Sequence, residues 1–226
     1  MVSLAVAGLW RFPVKSLAGE SLDSATLTVE GIPGDRTVWV CGPEGVRTSR
    51  RHHRLLGLRG TVSSAGRALI NGVPWESPAA LALVRDAAGS DAWLEPSDPG
   101  DRFDVLPLLV ATDGAVAAFG RDVRRLRPNI LVSGVEGMDE VRWPGAELHI
   151  GTAIIRLDSR RGRCPMTTVD PDTLQADPEV LRDIGRRFGG SLALNAAVVR
   201  GGTIHAGDTI RLVQSSGLRM DRRQIG

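Results

Sequence analysis

Tyrosine is absent from the 226 residues, lysine occurs once, at Lys15, and cysteine twice, at Cys41 and Cys164. Each scarcity removes a class of function. Two thiols far apart in sequence do not make a disulfide framework. Nor do they hold an iron–sulfur cluster, which takes about four thiolates. No stretch reaches the ~18 apolar residues of a membrane span. The opening MVSLAVAGLWRFPVKS has no basic leader, and Arg11 and Pro13 break its apolar run, so neither a secretory signal nor a membrane anchor is expected there. The formal charge is only +2 and no long block of basic residues occurs, which argues against a nucleic-acid partner. No G-x-G-x-x-G follows a predicted strand, so a bound nicotinamide or flavin nucleotide is not expected. The expected setting is the cytoplasm, with no membrane attachment.

What the chain does have is many short β-rich segments punctuated by Gly, Pro, Asp and Ser. TLTVEG, TVWVCG, RTSRR, LGLRGTVSS and ALALVR read as strands, and Gly42-Pro43-Glu44-Gly45 as a hairpin turn. TDGAVAAFGRDVRRL reads as a helix capped by Thr112 or Asp113, with Ala115, Val116, Phe119 and Val123 on one face. DPEVLRDIGRRFGG reads as a second helix, with Asp177 as cap, Pro178 in the first turn and Gly189 as stop. NILVSG, AELHIG, TAIIRLD, LALNAAVV and TIRLV read as strands, with GGTIHAGD joining the last two. A soft boundary falls in PSDPGDRFD, residues 96–104, and a polar, loose tail is expected after Val213. The fold class is mainly β with a few helices (α+β), barrel-like.

The segment AIIRLDSRRGRCPMTTVDPDT is chemically the most unusual. Cys164 stands among Arg160, Arg161 and Arg163, and positive neighbours favour a thiolate, the soft ligand a molybdenum-like centre takes. The same arginines could neutralise a phosphate. On the residues alone the alternative stands, a small buried cysteine flanked by solvated arginines. FPVKS at 12–16 sets Lys15 and Ser16 after a proline turn, PGDR at 33–36 sets Asp35 and Arg36 after a tight turn, and LRPNI at 126–130 sets Arg127 at a helix exit before Asn129. Each supplies anion-binding chemistry at a turn, and each also reads as an ordinary loop. Asp170 and Asp172 are either proton donors or loop-stabilising turn residues. His52 and His53, adjacent after RTSRR, could line a pocket mouth but not share one metal.

Taken in order, FPVKS, GDR, RPNI, RC-x-x-TTVDPDT and GTI-x-x-GD resemble the MOSC family, and most of all its members with an N-terminal β-barrel extension, the mitochondrial amidoxime reducing components and their bacterial relatives. The resemblance implies an N-terminal β-barrel domain at 1–104, a MOSC β-barrel at 105–213 and a polar tail at 214–226. It implies a pyranopterin molybdenum cofactor, and no pyridoxal phosphate. Cys164 would be metal ligand and catalytic centre, with Lys15, Ser16, Arg36, Arg127, Arg163 and Asn195 holding the cofactor. The implied activity is reduction of N-hydroxylated or N-oxide small molecules, with electrons from a separate donor such as a ferredoxin or cytochrome with its reductase. The rival is a sulfur carrier or cofactor-storage protein. Many relatives have a second cysteine three residues before the ligand. Arg161 stands there in this chain, so a vicinal thiol has no role.

Overall fold

Strand formation follows the alternation of apolar residues, and the first strand shows how the pattern is adjusted. In β1 (Leu4–Arg11) the buried residues are Val6 and Leu9, three apart, where a regular strand would separate them by two or four. A shift of register between Val6 and Gly8 supplies the odd residue, and both side chains face inward. Gly8 carries no side chain because the Trp10 ring lies over it; a Cβ there would come within 2.5 Å of that ring.

The computed structural model describes residues 3–214. After β1 come β2 (Glu20–Leu22), β3 (Ser24–Leu27), β4 (Val38–Gly42), β5 (Gly45–Val46), β6 (Gly60–Val62), β7 (Ala68–Ile70) and β8 (Val73–Pro74). Helix α1 (Pro78–Ala88), β9 (Trp93–Pro96), β10 (Leu108–Thr112), α2 (Asp113–Phe119), β11 (Ile130–Ser133) and β12 (Glu147–Ile150) follow. The remainder is β13 (Ala153–Gly162), α3 (Pro178–Phe188), β14 (Ser191–Arg200), β15 (Gly202–His205) and β16 (Thr209–Val213).

Seven strands close a barrel in the order β11-β10-β14-β13-β12-β16-β1, with β1 returning to pair with β11; β2 adds to the outside of β1. The chain is mostly β, with three α-helices among the described residues. Only β10 and β11 are parallel neighbours in the barrel, and α2 lies in the crossover that such a pair requires. The barrel is filled by Val6, Leu9, Val110, Ile130, Leu148, Ile155 and Leu194. A second core, built on Val40, Leu55, Ile70 and Val84, sits under the small sheets β5-β4-β9 and β6-β7-β8 and under α1. A third joins α2 to α3 through Phe119, Ile184 and Phe188.

Several sequence expectations are met in detail. Asp177 caps α3 by accepting from Glu179 N, with Pro178 in the first turn and Gly189 left-handed at the end. Thr112, rather than Asp113, caps α2. Gly42 and Gly45 pair across the expected hairpin.

Others are corrected. ALALVR is not a strand but the middle of α1: Ser77 accepts from Ala80 N, Pro78 opens the helix, and Ala80, Val84 and Ala88 recur every four residues on its buried side. RTSRR is mostly a turn, closed by Arg51 and His52 N–H groups donating to Thr48 O, because it has no apolar alternation to bury. TLTVEG stops as a strand at Leu27; Thr28 and Gly31 bond each other's backbone in a tight turn and Val29 is exposed. The helix beginning at Asp113 ends at left-handed Gly120, and residues 123–125 form a separate 3-10 turn capped by Asp122. GGTIHAGD contains a strand, β15, paired with β3. The tail beyond Gln214 lies outside the described residues. Among those described, no helix is long and apolar enough to cross a membrane.

Candidate functional site

A buried carboxylate brings the three short motifs together. Asp35, fully buried, accepts from Phe12 N at 2.6 Å and from Asn129 Nδ2 at 3.2 Å, and pairs with Arg36. Asn129 accepts from Leu109 N at 3.1 Å through its own Oδ1, and Trp10 N donates to Asn129 O at 2.9 Å. Arg36 N returns to Phe12 O at 2.8 Å, and Lys15 N to Val38 O at 2.9 Å. FPVKS, PGDR and RPNI are therefore one hydrogen-bonded unit. The Phe12 ring lies between two guanidinium groups, 4.2 Å from that of Arg127 and 5.1 Å from that of Arg36.

This unit forms one wall of a cleft of about 180 Å³. Lys15, Ser16, Arg36, Arg127, Arg163, Cys164 and Asn195 all line it, so the seven residues that the resemblance implies for the cofactor face the same space. Three of them are strained. Ser16 (φ 74°), Arg36 (φ 54°) and Arg127 (φ 56°) are left-handed, and they make up half of the six such non-glycine residues described. Left-handed backbone costs an L-residue roughly 1–2 kcal/mol, and such strain gathers where function over-determines the geometry. Ser16 Oγ is buried with no hydrogen-bond partner among the described residues. Burial, then the charge of Arg36, lowers the Arg127 pKa to about 9; burial also lowers Arg163, to about 10. Both remain protonated at neutral pH, and a bound anion would relieve what burial costs them.

Cys164, half-buried, precedes a 3-10 turn at Pro165–Thr168. Two arginines hold the loop that follows. Arg125 Nη1 donates to Thr168 O and its Nη2 to Asp170, both at 2.7 Å, and Arg163 Nη2 reaches Leu126 O at 2.9 Å. Asn195 Nδ2 donates to Ser159 Oγ at 3.1 Å, and its Oδ1 faces Arg161 at 3.4 Å. Cys41 is a different thiol: buried in β4, against Glu95 at 3.1 Å, with its pKa pushed up to about 12, chiefly by burial.

Some sequence readings do not hold, and the alternatives left open for Asp170 and Asp172 are decided for the turn. Arg160 faces away from the thiol and donates to Phe188 O and Ser191 O at the end of α3, so the positive surroundings of Cys164 come from the other arginines. Asp170 is a turn residue: the N–H groups of Thr173 and Asp172 hold its carboxyl down at about 2, which leaves it no proton to donate. Asp172 pairs with Arg124. His52 and His53 sit at the start of a 3-10 turn and do not line the cleft.

Sequence reasoning missed Asp104. Its carboxylate accepts from Lys15 Nζ at 2.9 Å, Arg161 at 3.0 Å and Arg50 at 3.1 Å, and it is the one acid lining the cleft. Burial opposes its ionisation, but the Lys15 hydrogen bond and the surrounding cations outweigh that and keep it below the usual carboxylate range. Its only signal was membership of a Pro-, Gly- and Asp-rich stretch that reads as a linker.

The chain matches two family models, the MOSC N-terminal beta barrel domain over residues 3–94 and the MOSC domain over residues 114–211. It belongs to the MOSC family. Lys15, Ser16 and Arg36 lie in the MOSC N-terminal match, and Arg127, Arg163, Cys164 and Asn195 in the MOSC match, while Asp104 lies between the two. This MOSC protein is similar to mitochondrial amidoxime reducing component 2 of Homo sapiens and of Macaca fascicularis, 36% identical over 76 residues. The similar segment covers 31% of this chain and 22% of either relative. In structure it resembles the YuaD protein of Bacillus subtilis, with a TM-score of 0.54 over 94% of this chain and 97% of that one. At 15% identity that likeness shows the fold alone.

Proposed function

We propose that this MOSC protein holds a pyranopterin molybdenum cofactor in the cleft and reduces N-hydroxylated or N-oxide compounds with electrons from a separate donor protein. One observation carries the reading: Lys15, Ser16, Arg36 and Arg127, three of them strained, converge on the same cleft as the half-buried thiol of Cys164. The residues fit the group. The orphaned Ser16 hydroxyl and the clustered cations suit a phosphate. Among the described residues no three His, Cys, Asp or Glu side chains gather as a metal site, so the protein's contribution would be one soft thiolate, with the remaining ligands supplied by the cofactor. The relatives that share part of this sequence are named for amidoxime reduction.

When bound, the cofactor would supply the two-electron redox chemistry. The reaction balances as cleavage of one N–O bond with two electrons and two protons, giving an amine or amidine and water. The chain's own part is to anchor the cofactor through Cys164, clamp its anionic end through Lys15, Arg36 and Arg127, and hold the thiol loop still through Arg125 and Arg163. Asp104 is ionised at neutral pH and Asp170 is tied into a turn, so the protons come from solvent rather than from a carboxylic acid of the cleft.

The test is elemental analysis with pterin fluorescence on protein made in a cofactor-competent host, followed by turnover of an N-hydroxylated amidine with reduced viologen. About one molybdenum per chain, lost in Cys164→Ser, and turnover with viologen but not with NADH alone are expected. Cofactor without turnover would make this a storage protein. A persulfide on Cys164 and no molybdenum would make it a sulfur carrier.

A further inference from the structure

Arg127 lines a second cavity, of about 340 Å³, which the function proposed above does not use. Trp10 of β1 and Phe12 at its exit form one side, and Pro128 and Pro171 add flat apolar surface. The place of Phe12 is fixed by Gly19, where a Cβ would come within 2.5 Å of the ring.

The charged groups at this cavity are all of one sign. Arg59, Arg124 and Arg127 line it, and no acidic residue among those described does. Arg124 is neutralised by Asp122 and Asp172. Arg59 has no ion-pair partner among the described residues, and Arg127 donates only to the Leu17 carbonyl, at 2.6 Å. A cavity of this size accepts a small organic molecule. Stacking surfaces select a flat ring, and unneutralised guanidinium groups select a planar carboxylate, which matches their fork.

We propose that this cavity is a binding site for a planar aromatic carboxylate, its ring against the Trp10 indole and its carboxylate at Arg59. The site does not depend on the cofactor reading of the neighbouring cleft. The probe is 2-naphthoate, titrated calorimetrically into the protein as purified. Saturable one-to-one binding is expected, weakened at least about tenfold by Arg59→Glu through loss of a charged hydrogen bond. The neutral analogue 2-naphthylmethanol should bind weaker by a similar factor. Lys15→Ala, which alters only the cleft, should leave 2-naphthoate affinity unchanged. Because Arg59 is exposed, its variant should fold, which thermal melting checks. Equal affinity for the acid and the alcohol, unchanged binding in Arg59→Glu, loss of binding in Lys15→Ala, or no binding at millimolar probe would each overturn the proposal.

Discussion

Lys15, Arg36 and Arg127 all face the cleft, yet they should respond differently to substitution. Lys15 and Arg36 reach the cleft from the edge of the second core. Lys15→Ala should shed cofactor on dilution, by about 1.5–3 kcal/mol for a charged hydrogen bond, with little change in melting temperature, whereas Arg36→Ala also strands the fully buried Asp35 carboxylate and should lower it. Arg127 is buried, and its guanidinium satisfies the Leu17 carbonyl. Arg127→Ala leaves that acceptor unpaired, so it should also destabilise the apo protein by about 1–3 kcal/mol. Pterin release and thermal unfolding, measured on the same samples, separate the two effects. If Arg127→Ala melted like Lys15→Ala, its structural role would be refuted. The cleft residues were legible in the sequence because each sits in a short motif whose order the family resemblance supplied. Asp104 was not, since convergence of Lys15, Arg50 and Arg161 on one carboxylate is a tertiary fact with no local spacing to show it.

Among elements, the join between β14 and the 3-10 turn at Asp139–Arg142 rests on a buried carboxylate. Glu140 accepts from Ala193 N at 2.9 Å and from Thr112 Oγ1 at 2.7 Å, and Ala193 is itself left-handed. Burial raises the Glu140 pKa above the ordinary glutamate value. The folded state therefore holds this proton to higher pH than the unfolded chain does. The stability linked to it is fully present below about pH 4.3, the unfolded value, and is lost as pH rises through the raised one. Glu140→Gln keeps an acceptor for Ala193 N–H and removes the titration, so it should flatten the loss of stability above pH 5 without lowering stability at pH 7. Glu140→Ala strands Ala193 N–H and should cost about 1–3 kcal/mol. Chemical denaturation across pH 5–8 reads both, and a Glu140→Gln variant with the wild-type pH slope would rule the linkage out. At this scale α3 could be read from its cap and its stop, while α2 was read from its cap but carried past its stop at Gly120. Helix α1 was missed because ALALV is a continuous apolar run that fits either period, although Ser77 and Pro78 marked its start. The odd spacing of Val6 and Leu9 in β1 shows the same limit, since a bulge depends on the strand opposite.

For the whole molecule, the barrel is closed by its first strand. β1 pairs with β11 on one side, Ala5 opposite Ser133, and with β16 on the other, Leu4 opposite Ile210. A fragment of residues 105–214 would keep six of the seven barrel strands but leave β11 and β16 as open, apolar edges. It should aggregate when expressed alone and become soluble when residues 1–104 are supplied in trans. A monomeric fragment with cooperative unfolding would contradict this. The mainly β character and the barrel were legible in the rhythm of short strands; the return of β1 across the molecule was not, because pairing partners so distant leave no mark in local pattern. The same seam bears on how the chain is made. A ribosome delivers Leu4 well before Ile210, so β1 waits, with Val6 and Leu9 exposed, until β11 and β16 have been made. Closure is then a long-range event of the slow kind that high contact order produces, and until it occurs nascent β1 is a segment that a chaperone would have to shield.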